Sequence, residues 1–191
     1  MAERADAARN RQAVLEAAGR LFDDGADPGT VSMDDVARAA GVGKGTLFRR
    51  FGDRTTLLHA VYDARLADLR TELESGSAPL GPDAAPAERI PAILDAIVTF
   101  KLNNRRLALA LEQSRSGETS TLYDAPHYVE THQLLARLLT AVVKPGDASW
   151  TAHVLLAATR IDLVDHLVTS EKVSRRRLRT DLRRLVERLL T

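Results

Sequence analysis

The sequence contains no cysteine, so disulfide bonds and cysteine-based zinc or iron–sulfur sites are excluded. This composition fits a reducing compartment, and we expect a cytoplasmic protein. Uninterrupted apolar runs of about 18 residues are also missing, so no membrane-spanning helix is expected. The first residues, MAERADAARNRQ, are charged and have no apolar centre, and they do not resemble a secretory signal.

Sequence signatures of enzymes are missing too. No glycine-rich phosphate loop follows a strand pattern, and no nucleophile elbow is present. The five histidines are scattered, and no two of them lie four residues apart, as a metal-binding helix would require. We therefore expect no enzymatic activity, no metal site and no cofactor.

Strand patterns, hairpin dipeptides and internal repeats are absent, whereas apolar residues recur at helical spacing along most of the chain. The 191 residues suit one or two small domains. A chain of this length buries about 70% of its unfolded surface and needs no cross-links. The sequence therefore predicts an all-α fold of about nine helices.

The net charge is only +1, which is low for a protein that binds nucleic acid. Residues 1–58 contain nine basic and nine acidic side chains. Most of the acidic side chains lie at residues 23–27 and 34–35, whereas four of the basic ones lie between Lys44 and Arg54. A locally positive face can therefore exist on a segment that is neutral as a whole.

The segment from Thr30 to Leu58 has the layout of a helix-turn-helix. Ser32 is a suitable N-cap, and Asp35 three residues later can complete a capping box. A helix is predicted over Met33 to Ala40. Gly41 ends that helix, because glycine adopts the left-handed conformation without steric cost.

The second helix of this segment is predicted over about Lys44 to Phe51, with Leu47 and Phe51 one turn apart on an inward face. Gly45 costs about 1 kcal/mol of helix stability relative to alanine, which is reasonable where the backbone lies close to a large partner. The next helix begins with a cation, Arg54, which suits a phosphate at that helix end. The alternative is a solvated helical hairpin with ordinary surface charge, but the coincidence of cap, glycine turn and basic outer face favours DNA binding.

Residues Phe22 to Leu58 resemble the N-terminal domain of TetR-family transcriptional regulators. The family pattern, Ala-Gly-Val, two residues, then Gly-Thr-Leu-Tyr-x-His-Phe, is matched by AGVGKGTLFRRF at residues 40–51. Phe48 replaces the usual tyrosine and lacks its hydroxyl, Arg50 replaces the usual histidine, and Arg54 replaces the usual lysine. The resemblance covers about a quarter of the chain and implies a DNA-binding regulator.

The predicted DNA-binding residues are Lys44, Gly45, Thr46, Phe48, Arg49, Arg50 and Arg54. We assign base contacts to Lys44 and Arg49, because lysine and arginine read guanine in the major groove. The backbone of Gly45 would approach the groove wall. Thr46, Arg50 and Arg54 would hold phosphates, which fixes register without reading sequence.

The predicted domains are residues 1–58, a helix-turn-helix DNA-binding domain, and residues 59–191, a helical effector-binding and dimerisation domain. A long helix starting at about Arg54 joins them. Gly76 to Pro86 is rich in proline and glycine and is the best linker candidate.

Two C-terminal helices, at about residues 150–170 and 175–190, form the predicted dimer interface. The first is apolar on most sides, and the second has a narrow leucine stripe beside a basic face. Because the resembled family dimerises through such helices, we expect a two-fold four-helix bundle between two copies. The alternative is that the helix at 150–170 is simply the central core helix of its domain.

The resembled family also implies a small-molecule site among the helices of the second domain. Candidate ligand-binding residues are Phe100, Asn103, Asn104, Leu107, Gln113, His127, Tyr128, His132 and Asp162. Each has a structural alternative. The two asparagines could only break a helix, the histidines could lie at a loop, and Asp162 could pair with Arg160.

We therefore expect a homodimeric transcriptional repressor that a small-molecule effector releases from DNA. Two copies of the helix at 44–51 would enter successive major grooves of a near-palindromic operator, roughly 34–36 Å apart. One alternative is an all-α small-molecule-binding or enzyme-like domain that does not bind DNA. The other is a DNA-binding factor without an effector.

Overall fold

A computed structural model of the chain describes residues 2–23, 30–114 and 122–189. Within these ranges the protein is helical and contains no strand, which confirms the predicted all-α fold. The described residues form ten α-helices: α1 (Ala2–Asp23), α2 (Met33–Ala40), α3 (Lys44–Phe51), α4 (Arg54–Ser75), α5 (Pro86–Asn103), α6 (Arg105–Ser114), α7 (Pro126–Leu139), α8 (Ala148–Ala157), α9 (Ile161–Thr169) and α10 (Arg175–Leu189). Short 3-10 turns lie at Leu122–Asp124 and Pro145–Asp147. None of the helices in the described part of the chain has the length and apolar character to cross a bilayer.

The chain divides into two compact units. The N-terminal unit comprises residues 1–65 together with 106–114, and the C-terminal unit comprises residues 66–105 together with 115–191. Helix α4 runs without interruption past residue 58 and contributes to both units. Helix α6 belongs to the N-terminal unit, a grouping that local sequence patterns do not display.

The N-terminal unit is built on contacts of α2 with α1 and with α3. Its largest fully buried side chains include Phe22 of α1, Leu47 of α3, and Leu57 and Leu58 of α4. Arg65 of α4 adds polar contacts to the end of α1. Its Nη2 donates to the Gly19 carbonyl at 3.0 Å, and the same guanidinium pairs with an Asp23 carboxylate at 2.7 Å.

Helix α5 is the centre of the C-terminal unit. Ile90, Ile93, Leu94 and Val98 are completely buried in the core cluster of this unit. Helices α7, α9 and α10 all contact α5, and α8 packs on α7. Burial of one side chain of this size stabilises the fold by about 1.5–3 kcal/mol, so α5 is the main apolar support of this unit.

The helix predicted at about Trp150 to Ser170 is in fact two helices, α8 and α9. Thr159 is fully buried at the break, and its hydroxyl donates to the Leu156 carbonyl at 2.8 Å. The Thr159 carbonyl accepts from Lys101 Nζ at 2.8 Å. Arg160, with ψ of 138°, then turns the chain into α9. These side-chain hydrogen bonds compete with the backbone hydrogen bonds of a continuous helix. Because the break depends on polar contacts, the spacing of apolar residues does not reveal it.

An aromatic cluster joins α7 to α8. The His132 and His153 rings stack with centroids 3.9 Å apart, and the Tyr128 oxygen lies 2.6 Å from His153 Nδ1. The Tyr123 ring meets Tyr128 edge-on at 5.2 Å. Burial raises the pKa of Tyr128, with a smaller contribution from Tyr123, so its hydroxyl stays protonated and can donate to His153. Burial also lowers the pKa of His153, and the neighbouring His132 lowers it further.

The depressed pKa of His153 predicts a loss of stability in mild acid. The unfolded chain takes up the proton more readily than the folded one. Neutral His153 therefore makes its full contribution to stability above the ordinary pKa of 6.5. This contribution is lost as the pH falls from 6.5 through the lower pKa of the folded state. Urea unfolding between about pH 7.5 and about pH 5.5 should show a decrease in unfolding free energy that is smaller in His153→Gln.

His166→Gln is the matched control for this measurement, because His166 lies on α9 and pairs with Glu171 at 3.3 Å outside the cluster. The control should keep most of the wild-type pH dependence. An unchanged pH dependence in His153→Gln would contradict the assignment.

Candidate nucleic-acid interface and C-terminal cavity

The start and end of α2 have the predicted capping geometry. Ser32 Oγ accepts a hydrogen bond from the Asp35 amide at 3.2 Å, and the Asp35 carboxylate accepts from the Ser32 amide at 3.1 Å. The hydrogen bonds from Ser32, with a further contribution from Arg38, hold the pKa of Asp35 below its usual value. Gly41 has φ of +66°, and the following amide donates to the Ala37 carbonyl at 3.0 Å. Both ends of α2 are therefore fixed by local hydrogen bonds.

Helix α3 buries two side chains and exposes most of the others. Leu47 and Phe51 are buried, as their spacing predicts. The exposed residues of α3 are Lys44, Gly45, Phe48, Arg49 and Arg50, and Thr46 is half-buried. Apolar packing thus fixes one face of α3 and presents a face with three cations to the outside.

Two of the cations on α3, Lys44 and Arg49, are only lightly engaged. Lys44 Nζ lies 2.8 Å from an Asp34 carboxylate and 5.9 Å from the centre of the Phe48 ring. Because both members of the Lys44–Asp34 pair are exposed, breaking it costs about 0–1 kcal/mol. Arg49 makes no ion pair or hydrogen bond with any described residue. These two side chains can therefore turn toward a polyanion at low cost.

Arg54 has a different environment from the cations of α3. It is the first residue of α4, and its Nε donates to the Val31 carbonyl at 3.0 Å. Asp53 caps the same helix by accepting from the Thr56 amide at 2.7 Å. The guanidinium of Arg54 therefore ties the start of α4 to the chain just before α2, and its assignment as a phosphate contact stays a prediction.

Gly45 is not required by the fold itself. A Cβ atom built at this position meets nothing within 4 Å, and the backbone does not have the positive φ that favours glycine. An alanine would fit and would make the helix more stable. The fold of the described residues therefore gives no reason for a glycine at this position.

The geometry of α2 and α3 agrees with comparisons to known proteins. The family model described as "Bacterial regulatory proteins, tetR family" matches residues 14–61, which include all of α2 and α3. The chain belongs to the TetR family. It is therefore a DNA-binding transcriptional regulator.

Two curated relatives show how far the sequence similarity extends. An HTH-type transcriptional regulator of Staphylococcus aureus strain MRSA252 is 27% identical over 173 residues, which is 91% of this chain and 90% of that protein. Another, from the bovine strain RF122 / ET3-1, is 33% identical over 110 residues, or 57% of each chain.

Solved structures show the same fold over nearly the whole chain. A putative TetR-family transcriptional regulator from Rhodococcus sp. superposes with a TM-score of 0.69 at 20% identity, covering 96% of this chain and all of that one. NalD of Pseudomonas aeruginosa, described as the secondary repressor of the MexAB-OprM multidrug efflux pump, superposes with a TM-score of 0.64 at 22% identity, covering 97% and 98%. At these identities the likeness establishes the fold alone.

The C-terminal unit of this TetR-family chain contains a cavity of about 530 Å³. Its walls come from the last turns of α4, from α5, from α7 and from the segment between α4 and α5. The apolar lining residues are Leu66, Leu69, Leu73, Pro82, Ile97, Leu134 and Leu138, and the charged ones are Arg70, Glu74, Arg89, Glu130 and Arg137. This volume lies within the range of small-molecule sites, about 300–1,000 Å³.

Among the predicted ligand residues, His127 lines this cavity. Tyr128 and His132 belong to the aromatic cluster with His153 instead. Asp162 pairs with Arg160 at 2.8 Å, and hydrogen bonds from Arg160 lower its pKa.

The remaining predicted ligand residues lie on α5, on α6 and, for Asn104, between the two helices. The Asn104 side chain donates to the Phe100 carbonyl at 2.9 Å at the end of α5, and Asn103 accepts from Arg175 at 3.4 Å. Leu107 is buried and belongs to the N-terminal unit. The side chain of Gln113 lies outside the described part of the structure.

Among the cavity residues that the sequence pattern missed, Arg89 is the most buried. It is 6% exposed although it follows Glu88 in the first turn of a helix, where an arginine normally reaches solvent. Its partners are the backbone carbonyls of Leu73 and Leu80. Contacts with carbonyls of another segment leave no signature in local sequence, so no pattern at residues 86–93 could have marked it.

Replacing Gly45 by alanine should separate stability from DNA binding. The free energy of unfolding should rise by about 0.5–1 kcal/mol, because alanine is the better helix former and the space is free. The affinity for operator DNA should fall at least several-fold, because a methyl group then stands on the exposed face of α3. Thermal unfolding and fluorescence anisotropy with labelled DNA measure the two effects on one preparation.

A Gly45→Ala protein that binds DNA as tightly as wild type would show that the backbone of α3 does not approach the groove at this point. A protein destabilised by the change would instead show that the fold needs the glycine.

Proposed function

We propose that this chain is a homodimeric TetR-family repressor that a small molecule in the C-terminal cavity releases from its operator. The exposed face of α3 carries the proposal, because it combines lightly engaged cations with a glycine that the fold does not need. The description of NalD as a repressor supports the direction of regulation.

In the proposed complex α3 lies in the major groove. Lys44 and Arg49 reach base edges, where guanine offers two acceptors to a lysine or arginine. Arg50, with Thr46 and Arg54, contacts phosphates. Two copies of α3 then read half-sites roughly 34–36 Å apart, so the operator is near-palindromic.

Removal of the base-reading cations tests this assignment. Lys44→Ala and Arg49→Ala should each weaken binding to a fragment of the gene's own upstream region by roughly tenfold, the usual cost of a lost base contact. Arg20→Ala is the matched control, because Arg20 is an exposed cation in the last turn of α1. A gel-shift titration at several salt concentrations, with a footprint on the wild-type complex, provides the affinities and the symmetry of the site.

Equal binding by wild type and both variants would contradict the roles of Lys44 and Arg49. No binding of the wild type to its upstream region at low salt would contradict the repressor proposal. Loss of binding in Arg20→Ala to the same extent would show a nonspecific charge effect.

The homodimer proposal rests on exposed apolar side chains of α8, α9 and α10, which we take together as one apolar face. Seven large apolar side chains are exposed among the described residues, and five of them lie on these three helices: Trp150, Val154, Leu163, Leu185 and Leu189. Trp150 is 71% exposed, which is unusual for a side chain that gains so much from burial. The same chain segments were predicted from sequence as the dimer interface, and a two-fold axis would bury this face against its copy.

The basic face of α10 is largely engaged within the chain. Arg179 forms a bidentate ion pair with Asp95 of α5, which raises the pKa of the Arg179 guanidinium. Arg177 pairs with Asp181 at 2.6 Å. Arg179 therefore fastens α10 to α5, whereas the Arg177–Asp181 pair lies within α10, and neither arginine is proposed as a second DNA site.

Charges placed on the apolar face should separate the dimer. Val154→Glu and Leu185→Glu should each shift the mass measured by light scattering from twice 20.9 kDa toward 20.9 kDa, because a buried unpaired carboxylate is strongly unfavourable. DNA affinity should fall in parallel, because the two half-sites are then no longer bound by one molecule.

Thr180→Glu is the matched control for charge on α10, because Thr180 is an exposed polar position of the same helix. It should remain a dimer. Dimers of unchanged stability in both Val154→Glu and Leu185→Glu would contradict the proposed interface.

Effector control has a natural route through α4. The first turns of α4 bury Leu57, Leu58 and Val61 in the N-terminal unit, and its last turns supply Leu66, Leu69 and Leu73 to the cavity. A ligand changes DNA affinity only if it binds one arrangement of α4 better than the other. In the proposal, ligand binding tilts α4 and moves the two copies of α3 out of register with the operator half-sites.

A further inference from the structure

Arg89 is a buried cation in the wall of the C-terminal cavity. Its Nε donates to the Leu80 carbonyl at 2.9 Å, and its Nη2 donates to the Leu73 carbonyl at 2.6 Å. No carboxylate pairs with it within the described ranges. Buried arginines are normally paired with an acid, because an uncompensated buried charge is costly.

The guanidinium has donors left over. It carries five N–H groups, and two of them are used in the bonds to Leu80 and Leu73. The Nη1 amino group makes no hydrogen bond to any residue that the structure describes. The carbonyls near the end of α4 offset part of the charge, and the unused donors are available to an acceptor inside the cavity.

The other charges of the cavity do not neutralise Arg89. Arg70 and Glu130 pair with each other at 3.2 Å. Glu74 and Arg137 are exposed side chains. The lining therefore has three arginines against two glutamates, and its one deeply buried charge is positive.

The remaining walls are apolar. Leucines of α4 and α7, with Ile97 of α5, form most of the surface that a ligand body would contact. Apolar contact supplies affinity, whereas a single buried cation selects the sign of the charge that the ligand carries.

We infer that this cavity binds an amphipathic organic anion, whose acidic group accepts hydrogen bonds from Arg89 and whose apolar body packs on the leucines of α4 and α7. The inference deepens the proposed function and rests on it only in taking the ligand to be the effector. Because the same guanidinium also donates to the Leu73 carbonyl, an anion on its unused donors is linked through Arg89 to the end of α4.

Matched probes test the charge of the ligand. Decanoate, decanol and decylamine share one chain, and phenylbutyrate, phenylbutanol and phenylbutylamine share one aromatic body. Calorimetric titration of the full-length protein should show that at least one carboxylate binds ten or more times more tightly than its alcohol or its amine. Equal or tighter binding of the alcohol or amine in both series, or no binding of any probe, would overturn the inference.

Variants of the cavity test the position of the acidic group. Arg89→Met should bind the carboxylate no better than the alcohol, whereas Arg137→Met, the matched control within the same lining, should keep the preference. Leu134→Trp should block all probes by filling the cavity while it leaves the bonds of Arg89 intact. Retention of the carboxylate preference in a folded Arg89→Met, or unimpaired binding in Leu134→Trp, would overturn the assignment.

Circular dichroism identifies an Arg89→Met protein that does not fold. In that case Arg137→Met and Leu134→Trp decide. Loss of the carboxylate preference in Arg137→Met would then place the acidic group on Arg137 and overturn the role of Arg89.

The effector role is measured separately by DNA release. A carboxylate that binds through Arg89 but leaves operator affinity unchanged supports the ligand class and contradicts the effector proposal. Release of DNA by neutral or cationic probes alone supports an effector and overturns the anionic class.

Discussion

The burial of Leu47 and Phe51 is the interaction on which the function of this protein depends. An isolated helix of eight residues is unstable in water, so α3 exists because these two side chains are packed in the N-terminal unit. The same packing sets the rotation of the helix, and therefore which side chains point outward. The capped ends of α2 support it, because they fix the length and direction of the helix that α3 contacts.

In this unit the placement of individual cations matters more for DNA binding than the net charge. Residues 1–58 contain equal numbers of basic and acidic side chains, and the exposed Lys44–Asp34 pair is weak. A strongly basic domain would bind any DNA tightly at physiological salt. A nearly neutral one with a few directed cations depends more on the fit between side chains and base edges, which favours discrimination between sequences.

The features predictable from sequence are those set by residues close together in the chain. The capping box of Ser32 and Asp35, the left-handed Gly41 and the inward face of α3 follow from spacings of three or four residues. The cavity does not, because Arg89 and His127 meet it through the packing of helices distant in sequence. Polar residues on helices have many possible partners. Asn104, Tyr128 and Asp162 form their hydrogen bonds or ion pairs with residues that do not line the cavity. The break at Thr159 was missed for the same reason, since Lys101 lies far away in the chain.

The exposed apolar face of α8, α9 and α10 has a genetic consequence. If this face joins two copies, a chain altered only in α3 keeps its ability to pair with an intact chain. The mixed dimer then has one functional reading helix and holds one half-site, so the altered allele interferes with the intact one in the same cell. Alleles altered in the apolar face lack this property, because their products do not enter dimers, and they are recessive. Dominance in a merodiploid strain therefore maps which of the two surfaces a mutation has damaged.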